Sequence, residues 1–178
     1  MELKGEQTVL RALESADVPL LHTLAMGSDA NEWTTPYWRP WSTADFEQFV
    51  RQTYPNPPDR IRLAICTSGM TSELLGVVEL FDINWIHGRA ELGIIIWRQI
   101  DRRKGHGKDA IATVLRWAFE TLRLRRIYAK VIESNAASKR CLQRAGFAEE
   151  GRWRDHFFVD GRTEDAVLFG ILGHRESA

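Results

Sequence analysis

Apolar residues at Ile111, Val114, Leu115, Ala118, Phe119 and Leu122 recur at the spacing of one face of an amphipathic helix. The run Glu91-Leu92-Gly93-Ile94-Ile95-Ile96-Trp97 before it is nearly all apolar in its second half, which predicts a central strand from about Arg89 to Trp97, buried on both faces. Arg126 to Ile132 reads as another strand, so a helix lies between two strands and the pair should be parallel. Upstream, Ile61 to Thr67 and Leu74 to Ile83 flank a Ser/Gly/Thr-rich turn and predict an antiparallel hairpin. Residues 7–13 suit a first strand. A short helix should follow, with Leu20, Leu21 and Leu24 on its apolar face and an end at Gly27-Ser28-Asp29. Ser42-Thr43-Ala44-Asp45 has the spacing of a capping box and predicts a second helix, stopped by Tyr54-Pro55-Asn56-Pro57-Pro58. Asn135 opens a short helix ending near Arg144, with Gly146 placed as its C-terminal cap. Ala148 to Val159 and Thr163 to Leu172 form a closing hairpin around Asp160-Gly161. With no repeat, linker or low-complexity segment, residues 1–178 read as one α/β domain with a mixed sheet.

Composition narrows the class. The 178 residues suffice for one domain with a buried core, and 44% hydrophobic with 27% charged residues is ordinary for a globular protein. Lys+Arg and Asp+Glu are both 24, which argues against nucleic acid as a partner, although basic patches at 102–108 and 123–126 leave a smaller anion possible. Cys66 and Cys141 match no metal spacing, so no metal is expected. The opening Met-Glu-Leu-Lys-Gly-Glu lacks a signal-like apolar region, and no apolar run has membrane-spanning length. The expectation is a cytoplasmic protein with free thiols and no membrane partner.

The candidate chemistry lies just before the long helix. Arg102-Arg103-Lys104-Gly105-His106-Gly107-Lys108 places two glycines and five basic or potentially basic residues where a helix begins. A helix start leaves backbone N–H groups without partners and carries partial positive charge, and glycine lets a ligand approach closely. These features describe a phosphate site. The bland alternative is a plain connection with solvated cations. Ala110 stands where a dinucleotide motif would need a third glycine, and no P-loop motif occurs. Trp33, Tyr37, Trp38 and Trp41 crowd a loop where they either plug the core or line an acceptor cleft.

Three stretches together resemble the GNAT superfamily of acetyl-CoA-dependent N-acetyltransferases, in its RimJ/RimL-like branch. They are Arg102-x-x-Gly105-x-Gly107, the run Asn135 to Phe147 containing Ala145-Gly146-Phe147, and Glu149-Glu150-Gly151 followed by Asp160-Gly161 and Asp165. The resemblance implies a mixed sheet of about six or seven strands flanked by about four helices, with the central strands splayed apart. It implies transfer of an acetyl group from acetyl-CoA to a primary amine, either a protein N-terminal α-amine or a small-molecule amine, by direct attack in a ternary complex. It also makes a homodimer possible. Arg102, Arg103, Lys104, Gly105, His106, Gly107 and Lys108 would wrap the CoA pyrophosphate, while Ile95, Ile96 and Trp97 would pair with the pantetheine arm and supply an oxyanion donor. Asn135 and Ser138 match positions that touch the cofactor, although Asn135 is equally a natural N-cap. The acceptor side would be the first helices and the loop after them, with Trp33, Tyr37, Trp38 and Trp41 as its wall and Asp29, Glu32 and Asp45 attracting a cation.

An attacking amine must be neutral, so a base has to take its proton. Glu91 matches an acidic position of this branch and is the candidate base. Its alternative role is an ion pair with Arg89 or another cation. The tyrosine that many members carry four residues before the Gly-Phe glycine is Leu142 here, which leaves protonation of the CoA thiolate unassigned. His156 is a candidate proton donor or else structural, and Cys141 reads as a small core residue. The missing tyrosine keeps a second reading open, a non-catalytic acyl-CoA-binding or sensor domain.

Overall fold

The computed structural model describes residues 2–27, 42–51, 58–159 and 161–173. In chain order the elements are β1 (Glu2–Lys4), β2 (Thr8–Ala12), α1 (Val18–Met26), α2 (Thr43–Arg51), β3 (Ile61–Thr67), β4 (Leu74–Asn84), β5 (Arg89–Ile96), α3 (His106–Glu120), β6 (Arg126–Ile132), α4 (Ala136–Arg144), β7 (Ala148–Val159) and β8 (Arg162–Leu172). Eight strands form one sheet in the order β1-β2-β3-β4-β5-β6-β8-β7. The short β1 is the strand that the apolar pattern does not reveal, because three residues cannot display a period.

Local chemistry explains most boundaries. At the start of α2 the Ser42 N–H donates to Asp45 Oδ2 at 2.7 Å, and the Asp45 N–H donates back to Ser42 Oγ at 3.2 Å, so the capping box closes. Asn135 Oδ1 accepts from the Ser138 N–H at 3.0 Å and caps α4. Gly105 takes φ +97° at the N-cap of α3, a left-handed conformation that favours glycine. No helix among the described residues is long and apolar enough to cross a membrane.

The sheet divides the interior into two clusters. On one face Ile111, Val114, Leu115 and Ala118 of α3 pack with Ala90 and Leu92 of β5 and with Ile127, Ala129 and Val131 of β6. On the other, Leu21 of α1 and Phe46 of α2 pack with Val77 of β4 and with Trp97, and Ile95 lies against them. Side chains alternate along a strand, so Glu91 and Gly93 of β5, and Tyr128 and Lys130 of β6, share the α1/α2 face. Parallel pairing of β5 with β6 is limited to Arg89↔Arg126, Ala90↔Ile127 and Glu91↔Tyr128. Past that point both strands continue unpaired with each other, and Gly93 to Ile96 are only partly buried. The central strand is therefore open on one edge over its apolar half.

Asp109, in the first turn of α3, ties that helix to the β1–β2 turn. Its carboxylate accepts from the N–H groups of Glu6 (2.9 Å), Gln7 (3.1 Å) and Thr8 (2.8 Å), and from Thr8 Oγ1 at 2.6 Å. Partial burial alone would raise this carboxyl. The donation from Thr8, Glu6 and Gln7 outweighs it and holds the group below its ordinary 3.8. We expect Asp109→Asn to cost about 2 kcal/mol near neutral pH, because hydrogen bonds to a charged acceptor are lost. With a folded-state pKa lowered, this stability is in place above the ordinary carboxylate value and is lost as pH falls through the folded one. Thermal melts of both proteins should converge on acidification. A gap that stays constant with pH would show that the charge contributes nothing.

Candidate active site

The loop before α3 is built to leave donors free. A 3-10 turn at Gln99–Asp101 leads from β5, and Arg103 adopts φ +61°. The first intrahelical bond runs from the Asp109 N–H to the Gly105 carbonyl at 3.0 Å. Among the described residues, no acceptor is found for the backbone N–H groups of residues 103–108. Arg103, Lys104 and Lys108 are exposed around them. An unpaired helix start ringed by cations has the chemistry to hold an anion.

Arg102 points elsewhere. Its Nε donates to the Ile96 carbonyl at 2.9 Å and its Nη2 to the Trp97 carbonyl at 2.6 Å, so its guanidinium clamps the loop to the end of β5. The His106 imidazole lies 3.2 Å (Nδ1) from the Asp101 carbonyl oxygen, inside the loop. Gly107 faces α4, where an added Cβ would lie 3.5 Å from Cys141 Sγ.

The strand beside the loop has a defined polarity. The Trp97 N–H donates to the Leu75 carbonyl on β4 at 3.2 Å. By alternation the backbone of Ile95 also turns to β4, and that of Ile94 and Ile96 turns to the open edge. Of the three residues expected to meet a pantetheine arm, Ile96 presents its backbone to the wedge left where β5 and β6 part beyond Glu91↔Tyr128. Ile95 and Trp97 anchor the other edge, and the Trp97 side chain is fully buried.

Glu91 is the last β5 residue paired with β6 and is 6% exposed. Its Oε2 lies 3.0 Å from Lys130 Nζ. Burial pushes the Glu91 carboxyl above its ordinary 4.5, while the hydrogen bond and charge of Lys130 work against that rise. The expected pairing with a cation is thus present, through Lys130, whereas Arg89 stands 4.0 Å from Asp82. Tyr128 donates to Asp82 Oδ2 at 2.6 Å, and burial followed by that acceptor raises its phenol well above the usual value. Such a phenol is a poor donor to a thiolate.

His156 is exposed, with ring centroids 4.9 Å from both Trp153 and Phe157, and makes no hydrogen bond to Glu91. Ser138 gives its N–H to the α4 cap. Leu142 is 2% exposed in the core, so the residue in the family's tyrosine position serves packing. Burial raises the Cys141 thiol, which keeps it protonated. Trp33, Tyr37, Trp38 and Trp41 lie outside the described residues, as do Asp29, Glu32 and Asp160. Lys130, Asp82 and Asp109 were missed in the sequence. For Lys130 a signal existed, since the alternation Arg126, Tyr128, Lys130 puts it on one face of β6.

Residues 7–148 match the family described as the acetyltransferase (GNAT) domain. The chain is 31% identical over 168 residues to the spermidine N(1)-acetyltransferase of Vibrio cholerae, covering 94% of each. A crystal structure of spermidine N-acetyltransferase from Vibrio cholerae, in complex with CoA and spermine, superposes with a TM-score of 0.82 at 30% identity, covering 94% of this chain and 96% of that one. RimL, the ribosomal L7/L12 α-N-protein acetyltransferase in complex with CoA, superposes with a TM-score of 0.86 at 18% identity, covering 97% and 98%, a likeness of fold alone.

Proposed function

The chain belongs to the GNAT acetyltransferase family and transfers an acetyl group from acetyl-CoA to an amine, and on that premise we propose that its acceptor is a small primary amine of the polyamine class, deprotonated by Glu91. The observation that carries this reading is the wedge. The β5–β6 ladder ends at Glu91↔Tyr128, so the open edge of β5 runs from a buried carboxylate to the anion-binding helix start.

In this reading the N–H groups of residues 103–108 hold the pyrophosphate, with Arg103, Lys104 and Lys108 neutralising it. The pantetheine arm pairs with the open edge at Ile94 and Ile96, and an N–H there donates to the thioester oxygen as charge develops. The amine nitrogen forms its bond to the acetyl carbon, and the C–S bond breaks with its electron pair on sulfur. The amine proton passes to Glu91, and the thiolate takes a proton from solvent. Asp82 supports a polyamine acceptor, because its carboxylate is 63% exposed on the Glu91 side and can meet a second ammonium. The names of the relatives point the same way. A homodimer belongs to the same proposal, with Phe158, 75% exposed on the free β7 edge, as an apolar side chain it would cover.

Calorimetry with acetyl-CoA, followed by CoA release with polyamines and with peptide N-termini, tests this reading. Turnover confined to peptides would overturn the acceptor class. We expect Gly107→Phe to weaken acetyl-CoA binding about 100-fold or more, some 2.7 kcal/mol, with little change in melting temperature. An added Cβ would stand at an ordinary contact distance, 3.5 Å, from Cys141 Sγ, so the helix start accommodates the first atom of a side chain, and the ring beyond it is expected to crowd the N–H groups of residues 103–108. Unchanged affinity would remove the loop from the cofactor site.

A further inference from the structure

Lys130 lies two residues beyond the last β5–β6 pair, so its contact with Glu91 at 3.0 Å spans the mouth of the wedge where backbone pairing has already ended. Its ammonium stands 5.5 Å from the centroid of the Trp153 ring on β7, which limits where the charge can go. The side chain is 26% exposed, against 8% for Glu91, so the cation is wetter than its partner. A lysine able to reach water does not need this carboxylate, whereas a carboxylate this buried needs a cation to stay ionised.

We propose that Lys130 is a positioning residue for acetyl transfer, holding the Glu91 carboxylate charged and aimed at the incoming amine. This rests on the reading of Glu91 as the proton acceptor. Only an ionised Glu91 can take the proton, becoming a carboxylic acid as the C–N bond forms, and Lys130 keeps its own protons throughout.

The other groups around Glu91 do not replace this cation. On β5 itself, Arg89 leans toward Asp82 at 4.0 Å and toward the Tyr128 ring at 6.0 Å. From β4, Asp82 opposes the charge on Glu91, and Glu79 is paired with Arg60 and Arg62. From β6, Tyr128 is committed to Asp82. From β7, His156 contributes the smallest of the effects that favour the charge on Glu91.

The test is kcat/KM against pH for Lys130→Met, Lys130→Arg, Glu91→Gln and the Lys130→Met/Glu91→Gln pair. Lys130→Met should move the acidic limb up by about 1 to 3 pH units and recover activity at high pH, the span expected for losing an adjacent opposite charge. Lys130→Arg should keep the limb near its wild-type position, and Lys130→Met should add nothing in the Glu91→Gln background. A loss by the same factor at every pH, or an unmoved limb, would overturn the inference while Glu91→Gln stays strongly impaired. Wild-type turnover in Glu91→Gln would overturn the base assignment itself.

Discussion

Glu91→Gln should lower kcat by about 10²- to 10⁴-fold, the span that general-base catalysis ordinarily supplies. The expectation rests on place and charge together. Glu91 is buried at the point where β5 and β6 part, with Lys130 as its ion-pair partner. Glutamine keeps the shape and can still accept a hydrogen bond from Lys130, whose ammonium reaches water, so the fold and the affinity for acetyl-CoA should persist. In the wild type the acidic limb of kcat/KM should follow the Glu91 carboxyl, which burial pushes above its ordinary 4.5 against the opposing hydrogen bond and charge of Lys130. Activity is lost as pH falls through that limb, and the variant's residual activity should lack it. Steady-state rates across pH, with calorimetry of acetyl-CoA, check both parts. A variant with wild-type turnover would mean that the amine loses its proton to water directly.

Gly76→Ala should cost about 3 kcal/mol and lower the melting temperature by about 6 to 12 °C. Gly76 pairs with Ile96 across the β4–β5 ladder. An added Cβ would overlap the Ile95 carbonyl oxygen, and would stand 2.9 Å from the Ile95 carbonyl carbon and 3.1 Å from Ile96 Cα. These are backbone atoms of a central strand and cannot rotate away as the end of a long side chain can. The strand that moves is also the one whose free edge faces the wedge, so acetyl-CoA affinity should fall along with stability. Melting and calorimetry on the same preparation read the two effects. Wild-type values in both would show that β4 and β5 can separate slightly without consequence.

The two variants probe features of different legibility. The spacing Arg102-x-x-Gly105-x-Gly107 is local, and both the loop and the helix after it could be read directly. The Arg102 side chain could not. A basic residue in a phosphate loop suggests a phosphate ligand, yet its guanidinium turns back to the carbonyls of Ile96 and Trp97. Glu91 could be placed at the start of a central strand, but its partner could not, because Lys130 lies 39 positions away by residue number and meets it only through parallel pairing. Gly76 gave no signal at all, since its necessity comes from the close approach of another strand.

What the sequence by itself determined is whatever repeats or caps over a few residues. The stripe of α3, the alternation of β6, the capping box at Ser42 and the cap at Asn135 all rest on neighbours in the chain. The tertiary structure decided the insertion of β8 between β6 and β7, the early end of the β5–β6 ladder, the Asp109 tie to the β1–β2 turn and the Glu91–Lys130 pair. Each of these joins residues distant in sequence, and hydrophobic periodicity says which face of an element is buried but not which partner it meets.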